Sequence, residues 1–234
     1  MDVPNPTTHP ASALDSAAAH PDEPGRGLPL NRLEAFSDGV FAIAITLLIL
    51  EIAVPLAAEE DLLGALAREW PSYLAYVISF LTIGWVWIGH AAITSHMERA
   101  DGLFLRLNLL LLLFVSFLPF PTGLMADYFG KSEPERVAVT FYGIVLLAIA
   151  ALISVLWRYA RRAKELLRVD ATDDELAELR AKLTPGLVGL LLATAVGLVI
   201  PSVGALCFLA VSAFLVIPFR ELLGAVRDLR RARR

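Results

Sequence analysis

Arg32, Glu34, Ser37 and Asp38 stand within seven residues of one another at the start of an apolar run. An ionised carboxylate more than one turn inside such a run costs on the order of several kcal/mol to bury, so Asp38 is expected to face protein and to take a partner. The competing reading is a carboxylate near a helix amino terminus, favoured by the macrodipole and open to interfacial water. Beyond Asp38, residues 39–50 hold a single hydroxyl, Thr46, among mostly aliphatic side chains. At 3.6 residues per turn, Gly39, Ile43, Thr46, Leu47 and Leu50 share one face. By periodicity alone such a stripe is helix packing more often than a pore.

Four further polar positions could do chemistry. His90 and His96 are six residues apart, which puts them on different faces of a helix and argues against a shared metal. His90 reads better as a buried hydrogen-bond partner of the first apolar segment. Asn108 lies in a leucine-rich run, where an amide normally seeks an interhelical hydrogen bond. Glu51, with Glu59, Glu60 and Asp61, could concentrate cations at one end of the first segment, or could simply be a solvated helix end. Cys207 is the single cysteine, so no intrachain disulfide or cysteine-based metal site can form.

The elements that must position these residues are membrane helices. Of 234 residues, 57% are hydrophobic and 19% charged, a balance that excludes an ordinary soluble domain. A spanning helix needs about 20 mostly apolar residues. The sequence supplies candidates at about 33–54, 73–94, 103–125 and 137–157, and a longer apolar run that Pro201-Ser202-Val203-Gly204 divides into 184–200 and 203–219. The expected fold is therefore all-α, with about six transmembrane helices over residues 31–222. Residues 1–30 read as a disordered cytoplasmic tail without a signal peptide, and 223–234 as a basic cytoplasmic tail. Lys and Arg are retained on the cytoplasmic side of short loops. Six spans place Arg158, Arg161, Arg162, Lys164, Arg168 and the terminal arginines inside, whereas five would export the Arg-rich tail. A capping-box pattern, Thr172-Asp173-Asp174-Glu175, predicts a short amphipathic helix between the fourth and fifth spans. Trp70 and Trp157 fall at span ends and are expected at the membrane interface.

The stretch Arg32-Leu33-Glu34-Ala35-Phe36-Ser37-Asp38 fits an R-x-x-x-F-S-D signature and resembles the transmembrane protein 175 family of potassium channels. Gly84-Trp85-Val86-Trp87-Ile88-Gly89-His90, Asp101, Arg106 to Phe114 and Phe117-Leu118-Pro119-Phe120-Pro121-Thr122 strengthen the likeness, which points to the prokaryotic six-helix branch. The resemblance implies a homotetramer whose first helices surround a central pathway; the arginine placement over six spans puts both termini in the cytoplasm, and the expected location is the plasma membrane. It implies that Ile43, Leu47 and Leu50 line the pore and form its gate, and that Thr46 supplies a selectivity hydroxyl. It also implies that Arg32, Ser37 and Asp38 are held by the next two helices, for which His90, Asp101 and Asn108 are the candidates.

A ring of branched aliphatics holds little water and blocks ions by dewetting until the helices move apart. A ring of neutral hydroxyls favours a large, easily dehydrated cation, so the expected function is passive conduction with modest preference for potassium over sodium. No Thr-Val-Gly-Tyr-Gly filter is present. The alternative is a secondary transporter or proton pathway using His90, Asp101 and Asp38 as relays. An enzyme is not expected, because no phosphate loop, metal-ligand motif or base near Ser37 appears in the sequence. Potassium is the expected permeant ion, with no cofactor and no nucleic-acid partner.

Overall fold

The computed structural model describes residues 28–53, 61–169 and 173–217, with side chains omitted at 28–29 and 173–183. The two tails outside this range, Glu59, Glu60 and Thr172 lie outside the described residues. The chain folds as β1 (Leu28–Pro29), α1 (Leu30–Leu47), α2 (Leu62–Arg68), α3 (Trp70–Ser95), β2 (Arg99–Ala100), α4 (Gly102–Phe117), α5 (Pro119–Tyr128), α6 (Glu133–Arg162), α7 (Asp173–Val199) and α8 (Pro201–Val216). A 3₁₀ turn, Leu48–Glu51, extends α1.

Among the described residues, four stretches are long and apolar enough to cross a membrane: Leu30–Glu51, Trp70–Ser95, Gly102–Tyr128 and Glu133–Arg162. Thr184–Val199 and Pro201–Val216 are apolar but shorter. At about 1.5 Å per residue, sixteen residues reach about 24 Å, short of a 30 Å hydrocarbon core. Proline sets most of the breaks. Pro119 and Pro121 carry no N–H, so the third stretch is interrupted at Leu118 and restarts with Pro119 in its first turn. Pro201 likewise opens α8 directly after α7 ends.

α1 packs against α3 and α4, while α6 contacts α3, α4, α5, α7 and α8. The core of buried side chains runs through Phe104, Leu111, Tyr142, Leu146, Ile149, Ile153 and Phe208. α7 and α8 form a tight hairpin: a Cβ added to Gly204 would run into the backbone of Gly197, so only glycine permits this approach.

Several expectations are corrected. The amphipathic segment after residue 172 is not a separate surface helix. It continues through Pro185 into the fifth apolar stretch as one helix, because proline removes only one hydrogen bond of a ladder that both sides otherwise favour. Trp157 is not interfacial but buried in the core, whereas Trp70 is half exposed with its ring edge-on to Phe129 at 5.0 Å. Residues 28–30, assigned by sequence to the tail, form β1 and the first residue of α1.

Candidate functional site

α1 divides cleanly into two faces. Leu33, Ser37, Phe41, Ala44 and Leu48 are buried, at a spacing of four or three that keeps them in one line toward α3 and α4. Stepping 100° per residue, Ile43, Thr46 and Leu50 fall within about 60° of the point opposite Ser37. They are exposed on the subunit, as is Leu47 at the flank: 62% for Ile43, 42% for Leu47 and 71% for Leu50. The Thr46 hydroxyl donates back to its own helix, at 3.0 Å from the Ala42 carbonyl and 2.9 Å from that of Ile43. Thr46 is exposed, and its oxygen accepts no hydrogen bond among the described residues.

The buried face is anchored by a directional chain of hydrogen bonds. Asn108 Nδ2 donates to Ser37 Oγ at 2.9 Å, and its Oδ1 accepts from His90 Nε2 at 2.9 Å. All three residues are at most 2% exposed. An amide can bridge a hydroxyl and an imidazole because it offers a donor and an acceptor at once. The Phe41 ring lies 5.5 Å from that of His90 and closes the cluster from the next turn of α1.

The remaining signature residues lie elsewhere. Asp38 is exposed on the subunit, and its partner is Trp87, whose indole Nε1 donates to Oδ1 at 2.9 Å. Arg32 and Phe36 are also exposed, and Arg32 has no ion pair among the described residues. Asp101 does not join the cluster. Its Oδ1 caps α4 by accepting from Phe104 N at 2.8 Å, and its Oδ2 accepts from the Tyr159 hydroxyl of α6. The reason is geometric: Asp101 precedes the first residue of α4, about two turns before Asn108, too far along the axis to reach Ser37.

His96 is committed to the Ala92 carbonyl at 2.7 Å. Among the described residues, no group of three His, Cys, Asp or Glu side chains could hold a metal. Asp61 caps α2 through Gly64 N and pairs with Arg68 at 3.4 Å on the surface. Glu51 lies over Gly123, filling the space a Cβ there would need.

Sequence reasoning missed Trp87 as the Asp38 partner, although Trp87 and His90 are three residues apart and so lie on neighbouring faces of α3. It also missed a second polar cluster. Ser79 Oγ lies 2.7 Å from Thr122 Oγ1 and 2.8 Å from the Tyr142 hydroxyl. Since Thr122 donates to the Leu118 carbonyl, the proton order is Tyr142 to Ser79 to Thr122 to Leu118. Ser212 and Thr82 pair in the same way at 2.8 Å, with Thr82 donating to the Ile78 carbonyl.

Residues 32–119 match the family described as Endosomal/lysosomal potassium channel TMEM175. A relative from Streptomyces collinus named a potassium channel is 45% identical over 152 residues, 64% of this chain and 74% of that protein. A chicken relative named an endosomal/lysosomal proton channel is 35% identical over 157 residues, 63% of this chain but only 31% of that protein. The crystal structure of a lysosomal potassium-selective channel TMEM175 homolog from Chamaesiphon minutus superposes with a TM-score of 0.71 at 37% identity, covering 80% of this chain and 95% of that one. The stretch matched by the family contains α3, α4 and all but the first two residues of α1, with both the Ser37–Asn108–His90 chain and the exposed stripe. This multi-pass membrane protein belongs to the TMEM175 family.

Proposed function

We propose that the chain is a potassium-permeable cation channel, four copies of which set α1 around a common axis in the plasma membrane. The observation that carries this reading is the stripe Ile43, Leu47 and Leu50, exposed on a helix whose opposite face is fixed to α3 and α4. In a tetramer these side chains meet their symmetry mates as a dewetted constriction that opens when the helices separate. Thr46 offers four outward lone-pair oxygens between those rings, a weak neutral field that gives modest preference for potassium over sodium. α7 and α8, whose apolar stretches are shorter than the hydrocarbon core, complete six spans per subunit with the bilayer thinned around them, and both termini are cytoplasmic in accord with the placement of arginines after α6. Conduction is passive, with potassium as permeant species and no cofactor; the protein is a channel and not an enzyme.

Protein reconstituted in liposomes is expected to pass potassium down its gradient with no second ion required. An Ile43→Cys variant carrying Cys207→Ala is expected to form disulfides between subunits on mild oxidation. Flux that saturates and needs a coupled gradient, or an Ile43→Cys protein that stays monomeric on gels, would overturn the reading. The name of the chicken relative supports a second reading, proton permeation, which a pH-sensitive dye in the same liposomes tests directly.

A further inference from the structure

The turn between α3 and α4 is bonded to β1, to the segment that follows α6 and to α6 itself. Its β2 residues pair with β1 in antiparallel register, Leu28 with Ala100 and Pro29 with Arg99, and β1 runs into α1 without an intervening residue. The residues just before β2 pair with the chain that follows α6. Glu98 N donates to the Leu166 carbonyl at 2.8 Å and Arg168 N to the His96 carbonyl at 3.0 Å, on either side of the Met97 and Leu167 pair. The residue just after β2 is Asp101, one carboxylate oxygen of which caps α4 while the other takes the hydroxyl of Tyr159 from the last turns of α6. Met97, Ala100 and Leu166 are buried, so this clasp is packed as well as hydrogen-bonded.

Two-residue strands have no stability of their own. They persist here because each is held by the next, and the Asp101–Tyr159 bond is the side-chain link that ties the set to α6. We propose that Asp101 and Tyr159 are positioning residues for the channel: with the backbone clasp they hold the amino-terminal end of α1 to the end of α6. This rests on the reading that α1 lines the pathway. If the constriction opens by α1 moving outward, the clasp opposes that movement, and it yields only when segment 164–168 moves as well.

Single-channel recording separates this role from a merely structural one. Tyr159→Phe removes the link but leaves the α4 cap, and is expected to raise open probability about fivefold, the weight of one hydrogen bond in a two-state equilibrium. Unitary conductance and ion preference are expected to stay as in the wild type. In Asp101→Asn the amide oxygen still accepts from Phe104 N while the amide nitrogen donates to the Tyr159 oxygen, so the link is reversed and not removed, and the variant is expected to lie between wild type and Tyr159→Phe. The opposite perturbation is a disulfide in Met97→Cys, Leu167→Cys, Cys207→Ala. As a pair without direct hydrogen bonds, these positions are about 4.5 Å apart at Cα, within disulfide range. Oxidation by copper phenanthroline is expected to lower open probability, and dithiothreitol to restore it. An unchanged open probability with the disulfide formed would overturn the proposal, as would a Tyr159→Phe effect on unitary conductance alone. A wild-type protein that passes no potassium would instead sink the channel reading, and this inference with it.

Discussion

Within α1, residues 30–40 and 41–51 meet the rest of the subunit through different forces. The first half is fixed by direction: Ser37 receives Asn108, which receives His90, and Asp38 receives Trp87. Among the described residues, the second half is fixed by contact alone. Phe41, Ala44 and Leu48 are buried, and the Thr46 hydroxyl turns back on its own helix. Hydrogen bonds specify register and rotation, because a slip of one residue leaves buried donors unpaired. Apolar contacts tolerate small shifts, since neighbouring positions are nearly equivalent in packing. The helix is thus pinned at one end and free to adjust at the other, where its exposed stripe lies.

The largest break in this contrast is Asn108→Leu, which orphans the buried His90 and Ser37 groups and is expected to cost about 2 kcal/mol of stability. Thermal unfolding in detergent measures it. The double variant Ser37→Ala, Asn108→Leu is expected to recover part of the loss, since fewer buried groups are then left unpaired. Next comes Ile43→Ala on the free half, which shortens a side chain that the subunit leaves mostly exposed. Stability is expected to stay near wild type while potassium flux rises about tenfold, as for a barrier lowered by ~1.4 kcal/mol. A stability loss matching that of Asn108→Leu would erase the distinction between the halves. Trp87→Phe is milder: it deletes an exposed bond to Asp38 and is expected to cost about 0.5 kcal/mol in the same unfolding assay.

Legibility in the sequence followed the same division. The apolar runs revealed the helices, and Asn108 announced itself because an amide among leucines needs a partner. The breaks at Pro119 and Pro201 stood in the sequence too, although only the second was read as a division. Tertiary pairing was the hidden part. Asp101 looked like a member of the Ser37 cluster, but an aspartate just before a helix satisfies that helix first. Tyr159 gave no signal, because a tyrosine near a span end reads by default as an interfacial anchor, and Trp87, well inside the second run, counted toward the family likeness without revealing its bond to Asp38. Trp157 was misplaced for that reason, since periodicity cannot tell a membrane boundary from a helix that continues past it under cover of its neighbours.

The finest test of the free half is Thr46→Val, which keeps shape and volume but replaces the hydroxyl with a methyl group. Because that hydroxyl donates only to the Ala42 and Ile43 carbonyls of its own turn, its removal frees no partner on another helix. Those carbonyls retain their helical bonds, and stability is expected to hold within about 0.5 kcal/mol. What changes is the exposed side, where oxygen lone pairs give way to carbon. If those oxygens replace part of an ion's hydration shell, the potassium-to-sodium permeability ratio from bi-ionic reversal potentials is expected to fall about twofold, with conduction retained. An unchanged ratio would place selectivity at another level of the helix. A loss of folding would mean that the hydroxyl is as firmly tied to the subunit as Ser37, and that the two halves of α1 do not differ.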